Sequence, residues 1–337
     1  MDSLIALLET RFDSLKIQYK EFEHLGLDHK QLEACIEIHQ NNYISQLRTM
    51  NPSEFPADDE EDLPAEHVPN FMSLLGGVGW VVQTRPDVIT YVGALQRHLK
   101  KPKTKHARAL NRVVNYLKTH PLTIRFHRVQ GPTKLAIVSD SAYKAADPDC
   151  LAIKSGIIML MHDGPNSNCK VAPIEWLSKK QQHVCRSTYA AELHSSLDLV
   201  GMGMIVSSAF NEIMFGRQPA LVLARWQDEG KFAIPMELFI DARSVFDGVT
   251  SDPVKTPADK ALLLHAKALN SMLMSRQIKA LTWIDTRDMI ADALNKGTID
   301  RDAIRRLFSL GEWKLQFPTK QFIASNKPSS ASANKTE

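Results

Sequence analysis

The spacing of apolar residues changes along the chain, and the changes outline its elements. In "PNFMSLLGGVGWVVQ", "RPDVITYVGALQRHL" and "TKHARALNRVVNYLKTH" apolar side chains recur at helical spacing, and the runs break at Pro86, Pro102 and Pro121. From Leu122 the period shortens. "LTIRFHRV", "KLAIVSD", "SGIIMLMHD" and "PIEWLSK" are β-rich runs separated by Gly, Pro and Asn, which predicts successive, mostly antiparallel strands. A long helix follows, "STYAAELHSSLDLVGMGMIVSSAFNEIMFG". After it come a strand "ELFID", a helix "TPADKALLLHAKALNSMLMSRQ", a strand "KALTWID" and two short helices, "DMIADALNK" and "DRDAIRRLFSL". Upstream, "LIALLETRFD" reads as helix, "LEACIEI" as strand and "NNYISQLRTM" as helix, a small α/β piece of about fifty residues that is too short to be stable alone.

This order predicts an α/β protein with a mixed sheet flanked by helices, in which chemistry gathers at strand ends. The expected divisions are a small α/β unit over 1–52, an acidic linker over 53–67, a basic helical segment over 68–121, the main α/β unit over 122–310, and a polar, disordered tail over 318–337.

Composition is that of an ordinary globular chain, 44% hydrophobic and 23% charged over 337 residues. No apolar stretch approaches the roughly 20 residues of a membrane span, and "MDSLIALLETRFDSL" carries charge too early for a signal peptide. Cys35, Cys150, Cys169 and Cys185 are scattered without a C-x-x-C pair, which favours reduced structural thiols and an intracellular setting, cytoplasmic or nuclear. The glycines of "LLGGVGW" are followed by no G-K-[ST], so they read as helix packing rather than a phosphate loop.

Charge is unevenly spread. No acid lies between Asp87 and Asp140, while Arg97, Lys100, Lys101, Lys103, Lys105, Arg108, Arg112, Lys118, Arg125 and Arg128 all do. Such a run is either a solvated helix face or a surface for a polyanion, and the absence of nearby counter-charge favours the polyanion. "SEFPADDEEDLPAE" carries the opposite sign.

Four acids stand out by position. Asp140 ends the strand "KLAIVSD", Asp241 ends "LFID", Glu192 lies one turn into the long helix, and Asp292 lies near the start of a later one. Singly, each is explained as a turn residue, a cap or a group favoured at a helix start. Together on one sheet they would repel, and an all-oxygen site of this kind suits Mg²⁺ or Mn²⁺. His162, His183 and His194 lack metal-motif spacing, Asp198 falls on a different helix face and reads as solvated, and Cys185 and Ser187 read as a strand-to-helix turn.

"SDSAYKAADPD", "KSGIIMLM", "IEWLSKKQQHVCRSTYAAEL", "LFIDARSV" and "DMIADALNKG", in that order, resemble the ribonuclease H domain of copia-type LTR retrotransposon Pol polyproteins. That family has a strand ending S-D, an S-G pair, a W-x-S-K-K-Q strand, a helix bearing A-E, a strand ending in Asp and a closing A-D-x-x-x-K. The resemblance implies a ribonuclease H-like fold, with its four metal-binding acids at Asp140, Glu192, Asp241 and Asp292. Trp176, Ser178, Lys179, Lys180 and Gln181 match the W-x-S-K-K-Q strand. "QTRPDVITYVGALQRHLKKPKTKHA" is similar to the family's segment between polymerase and nuclease, and "YKEFEHLGLDHKQLEACIEIHQNNYISQL" to the end of its polymerase palm, so the likeness runs over roughly residues 10 to 310.

The resemblance implies hydrolysis of the RNA strand of RNA–DNA hybrids with two Mg²⁺ ions (Mn²⁺ as substitute). Lys100, Lys101, Lys103, Lys105, Arg108, Arg112, Lys179 and Lys180 would meet nucleic acid. No Y-x-D-D motif is present, so no reverse transcriptase activity is expected. The chain departs from the family in "DARS" for D-N-x-S and "STYAAEL" for S-S-T-E-A-E-Y, and it lacks the histidine that cellular ribonucleases H place before the last acid. A non-catalytic nucleic-acid-binding module and an inert retrotransposon piece are the rival readings.

Overall fold

The computed structural model describes residues 5, 8–11, 17–129, 131–143, 152–162 and 170–324. The expected first helix, "LIALLETRFD", lies partly outside them. Two sheets organise the rest. The first contains β1 (Glu21–His24), β2 (Leu27–Gln31), β3 (Cys35–His39) and β4 (Ile124–His127), all antiparallel. Leu25 and Gly26, both at positive φ (53° and 73°), close the β1–β2 hairpin, as a two-residue turn between twisted strands requires. A helix α1 (Asn41–Gln46) follows β3.

β4 corrects the expected boundary at residue 122. It was expected to lead into the main unit's sheet, but it pairs with β3 along Cys35↔His127 to Ile38↔Ile124, and Arg125 Nε donates to Glu37 Oε1 at 2.7 Å. A short strand with a free partner edge and an opposite charge across from it pairs there, whatever follows it in sequence.

The helical segment contains α2 (Val68–Val81), α3 (Ile89–Gln96) and α4 (Thr104–Thr119), packed around Phe71, Leu75, Val78, Leu110, Val114 and Leu117. At its centre a fully buried Arg85 grips Asp87 with two nitrogens, Nε–Oδ1 at 2.9 Å and Nη2–Oδ2 at 2.7 Å. Tyr116 Oη (3.0 Å) and Arg305 Nη1 (3.1 Å) also donate to Asp87 Oδ2. Burial raises the Asp87 carboxyl pKa, but the guanidinium of Arg85 outweighs burial and holds it below its ordinary value.

Residues 53–67 are not a free linker. Phe55 and Leu63 are buried, Leu63 N donates to Pro102 O and Thr104 N to Glu61 O, both at 2.9 Å, and Asp62 pairs as a β-bridge with Lys103. Two apolar anchors and opposite charge seat this strap on the start of α4.

The second sheet is mixed. Its strands are β5 (Thr133–Tyr143), β6 (Ala152–His162), β7 (Ala172–Lys180), β8 (Met236–Ile240), β9 (Ala280–Trp283) and β10 (Lys320–Phe322), in the order β10-β9-β8-β5-β6-β7. β5–β6, β6–β7 and β9–β10 are antiparallel, whereas β5–β8 and β8–β9 are parallel. Leu135 and Ile137 face one layer and Ala136 and Val138 the other, so β5 is apolar on both sides, as a central strand between two layers must be. The first layer holds α5 (Thr188–Phe215), α7 (Arg243–Val249) and α8 (Leu263–Met274); the second holds α9 (Asp292–Asn295) and α10 (Asp302–Leu310). A further helix, α6 (Ala220–Asp228), follows α5 and has no buried residue.

β10 corrects the expectation of a disordered tail from residue 318. Its backbone extends the edge of β9, and Gln321 Nε2 donates to the buried Glu237 Oε1 at 2.7 Å. Residues 325–337 lie outside the described part. Among the described residues only α5 has the length and apolarity of a membrane-crossing helix, contrary to the expectation that no stretch approaches that length. Glu192, Ser195, Ser207 and Asn211 are buried along it, and it packs as the core helix of the first layer, so no clear membrane span results.

α5 lies very close to the sheet. A Cβ at Gly156 would sit 2.2 Å from Leu199 Cδ1 and 2.7 Å from the Val138 carbonyl oxygen, and one at Gly203 would sit 2.4 Å from Ile137 Cδ1. Because the Val138 contact is backbone, Gly156→Ala is expected to cost roughly 1–3 kcal/mol by overpacking. Urea unfolding measures this; an unchanged midpoint would mean that the helix can lift without cost.

Candidate active site

β5 runs past Asp140 to Tyr143, paired with β6 throughout, whereas its parallel neighbour β8 stops at Ile240. Asp140 is therefore not the end of its strand, as expected, but the point where the parallel pairing has run out and the antiparallel pairing continues. Asp241 follows directly on β8. This is the carboxyl end of the parallel strands, where backbone leaves the sheet and side chains gather.

α5 brings the third acid. Ser187 caps it, accepting from Ala190 N at 3.1 Å, which puts Glu192 in the helix's second turn. Gln181, the last residue of the W-x-S-K-K-Q run, is buried and ties β7 to the helix: its Nε2 donates to Ala191 O at 2.7 Å and to Ser141 Oγ at 3.0 Å. Ser195 Oγ donates to the Asp140 carbonyl at 2.9 Å. One ligand atom from each of Asp140, Glu192 and Asp241 lies within 4.8 Å of the others, so the three could hold a metal ion.

Asp292, the first residue of α9, is the fourth acid and lies against Asp140. Two residues not assigned a role from sequence complete the group. Asn295 Nδ2 donates to Asp140 Oδ2 and to Ser155 Oγ, both at 2.7 Å. Lys296 Nζ contacts Asp292 Oδ1 closely and lies 3.8 Å from Asp140 Oδ2. The A-D-x-x-x-K pattern contained the signal, because a lysine four residues after an acid shares its helical face. Asp241 Oδ2 accepts from Thr286 Oγ1 at 2.9 Å, and its carbonyl accepts from Trp283 Nε1 at 2.8 Å.

Crowding sets the protonation. Burial, then the nearby Asp140 and Asp241, push the Glu192 carboxyl up to about 10. Burial and Asp140 raise Asp241, and burial and Asp140 raise Asp292. For Lys296, burial works against the ammonium, but Asp140 and Asp292 outweigh it and raise its pKa. Glu192 Oε2 is buried with no partner, the mark of an acceptor set short of positive charge.

The histidines form their own cluster. His183 stacks on His194 at 4.7 Å between centroids, and His265 meets His194 edge-on at 4.8 Å. Asp198, expected to be solvated, pairs with Lys154 of β6. His162 ends β6.

The basic residues are placed in two groups. Lys179 and Lys180 are exposed at the end of the edge strand β7; Ser178 pairs with Ser155 and Ser155 with Asp140, so these lysines flank the row of the carboxylates, about 10 Å away across two strand spacings. Lys100 and Arg112 are exposed on the helical segment. Four others carry counter-charge that the sequence reading did not foresee: Lys101 pairs with Asp62 (3.1 Å), Lys103 and Lys105 with Glu60 (2.9 and 2.6 Å), and Arg108 with Asp59 (2.9 Å).

No family model matches the chain. It is 26% identical over 211 residues to the retrovirus-related Pol polyprotein from transposon RE1 of Arabidopsis thaliana, covering 56% of this chain and 14% of that protein. It is also 26% identical over 207 residues to the polyprotein from transposon RE2 of the same plant, with the same coverage. The chain is homologous to retrotransposon Pol polyproteins. It spans about one seventh of the length of these two relatives. Secreted RxLR effector protein 161 of Plasmopara viticola is 33% identical over 120 residues, 35% of this chain and 78% of that protein.

Within this Pol-related chain, two measurements test the electrostatics of the carboxylates. With its folded pKa raised, Glu192 keeps its proton at neutral pH while the unfolded chain loses it above the ordinary value of 4.5, so this residue's contribution to stability falls as pH rises from about 5 to 8. In chelator, Glu192→Gln is expected to melt higher than wild type by a gap that widens over that range, to on the order of 2 kcal/mol; a gap independent of pH would contradict the assignment. Lys296→Met, which keeps the stem and removes the ammonium, is expected to destabilise the metal-free protein by roughly 1–2 kcal/mol at pH about 8. Equal urea midpoints would show that the ammonium is not the counter-charge.

Proposed function

We propose that this chain hydrolyses the RNA strand of RNA–DNA hybrids through a ribonuclease H-like unit that uses two Mg²⁺ ions, with Mn²⁺ as substitute. The observation that carries the reading is the meeting of Asp140, Glu192 and Asp241 within 4.8 Å, with Asp292 against Asp140, on elements far apart in sequence. The partnerless buried Glu192 Oε2 and the all-carboxylate donor set fit a hard divalent cation. The mixed sheet with helices on both layers, and the relatives' Pol character, support the same reading.

Asp140, Glu192, Asp241 and Asp292 would hold the ions. When bound, the ions supply an activated water and a stabilised leaving oxygen for phosphodiester cleavage. The chain's own residues do the rest. Asn295 fixes the orientation of the Asp140 carboxylate, and Thr286 that of Asp241. Gln181 holds the start of α5, and so Glu192, at its distance from β5. Lys179 and Lys180, about 10 Å from the carboxylates across two strand spacings, would meet phosphates, and strand choice would rest on RNA 2′-hydroxyls across the minor groove.

A second reading, a non-catalytic nucleic-acid-binding module, is favoured by one observation. Lys296 supplies Asp140 and Asp292 with positive charge from within the chain, as a site without cations needs. Asp140→Asn separates the two. With a fluorescent RNA–DNA hybrid and Mg²⁺, wild type is expected to cleave and the Asn variant to lose cleavage, while its melting temperature in chelator holds or rises because one crowded charge is gone. Equal cleavage by both proteins would remove Asp140 from the chemistry. No cleavage by wild type, with no rise in melting temperature on adding Mg²⁺, would leave the binding module.

A further inference from the structure

The strap over residues 53–67 carries its acids on the cations that the charge pattern assigns to a polyanion. Asp59 takes Arg108, Glu60 takes both Lys103 and Lys105, and Asp62 takes Lys101. Its backbone is tied down independently of these pairs: Leu63 N to Pro102 O, Thr104 N to Glu61 O, and Lys105 N to Asp59 O at 2.9, 2.9 and 3.0 Å. Leu63 and Phe55 anchor it in the helical core, and Arg108 lies over the Phe55 ring at 5.8 Å while its Nη2 donates to Pro56 O at 3.0 Å. The ion-paired carboxylates themselves face solvent. Exposed pairs of this kind are weak, about 0–1 kcal/mol each, so they exchange readily with other anions. The two ammonium groups hold Glu60 down to about 2, which keeps the strap anionic at any physiological pH.

We propose that the strap is a built-in competitor for nucleic acid: Asp59, Glu60 and Asp62 occupy Lys101, Lys103, Lys105 and Arg108, and duplex phosphates bind there by exchanging with these carboxylates while the strap's backbone stays docked. This rests on the hybrid-binding reading above and adds its regulation. The exchange has a thermodynamic signature. A phosphate that meets a lysine releases condensed counterions, but a carboxylate that loses its lysine recruits a cation from solution, and the two nearly cancel. Wild-type affinity on this face is therefore low and only weakly salt-dependent. Removing the carboxylates strengthens binding and steepens its dependence on salt.

The test uses the whole chain in chelator, so that no hybrid is cut, and a fluorescein-labelled RNA–DNA hybrid read by anisotropy across a salt series. Asp59→Asn, Glu60→Gln and Asp62→Asn together keep the shape of the strap. The triple variant is expected to bind about tenfold tighter at low salt, and its log–log salt slope to steepen by roughly two to four units, about 0.9 per phosphate whose counterion release is no longer offset. Both gains should vanish when Lys101, Lys105 and Arg108 are also changed to Ala. Wild-type affinity and slope in the triple variant overturn the proposal, as does a gain that survives loss of the cations, since that would reflect net charge alone. If the triple variant melts early, Glu60→Gln alone frees two lysines and gives the same comparison. Tighter binding without cleavage in Mg²⁺ supports the strap while refuting the nuclease reading.

Discussion

The buried contact between Arg85 and Asp87 joins the parts of this chain. A fully buried carboxylate is stable only when its oxygens are saturated, and Asp87 reaches that state with help from two other elements, Tyr116 on α4 and Arg305 on α10. Arg85 in turn bonds Leu117 O at 3.2 Å. The helical segment and the second layer of the main sheet are thus held by one charge that neither could bury alone. The same side of the segment supports the backbone just after α9: Tyr91 Oη donates to Gly297 O at 2.8 Å, and Arg301, over the Tyr91 ring at 4.9 Å, bonds Lys296 O at 2.9 Å. Trp176 of β7 adds a bond to Val82 O at 3.2 Å. The turn bearing Asp292, Asn295 and Lys296 is therefore clamped from the helical side.

At the carboxylates the balance is different. Asp87 has enough donors, whereas the group around Asp140 does not. Asn295 and Lys296 satisfy part of it, a proton on Glu192 another part, and one buried carboxyl oxygen, Glu192 Oε2, is left over. Two clusters of similar burial thus reach opposite electrostatic states. The one that joins elements is closed, and the one at the end of the parallel strands is open to added positive charge.

Much of this was legible in the residues. The doubly apolar runs of β5 and β6 and the long helix after them follow from pattern alone, and the ordered motifs S-D, A-E, the strand-ending Asp and A-D picked out Asp140, Glu192, Asp241 and Asp292, which the structure brings together. What escaped depends on tertiary encounter. β4 chose β3 through register and the Arg125–Glu37 pair, and β10 was hidden in a polar tail because its partner edge on β9 is about forty residues back in the chain and Glu237 some eighty. Lys101 and Asp62 look like unrelated charge runs until the chain folds back. Lys296 sat inside a recognised pattern, but a lysine after an acid has too many ordinary explanations to be singled out.

Gly156 joins packing to chemistry. With no side chain there, α5 rests almost on the backbone of β5 and β6, and the nearest atom of Leu199 lies where a methyl group would be. Leu199 is seven residues, two helical turns, beyond Glu192 on the same face. The missing methyl works as a spacer of zero thickness: it sets the height of the helix above the sheet, and the helix carries that height to the carboxylate. A single carbon added at 156 would be read out two turns away as a displaced oxygen, so one hydrogen atom in the sheet calibrates the aperture into which a cation would have to fit.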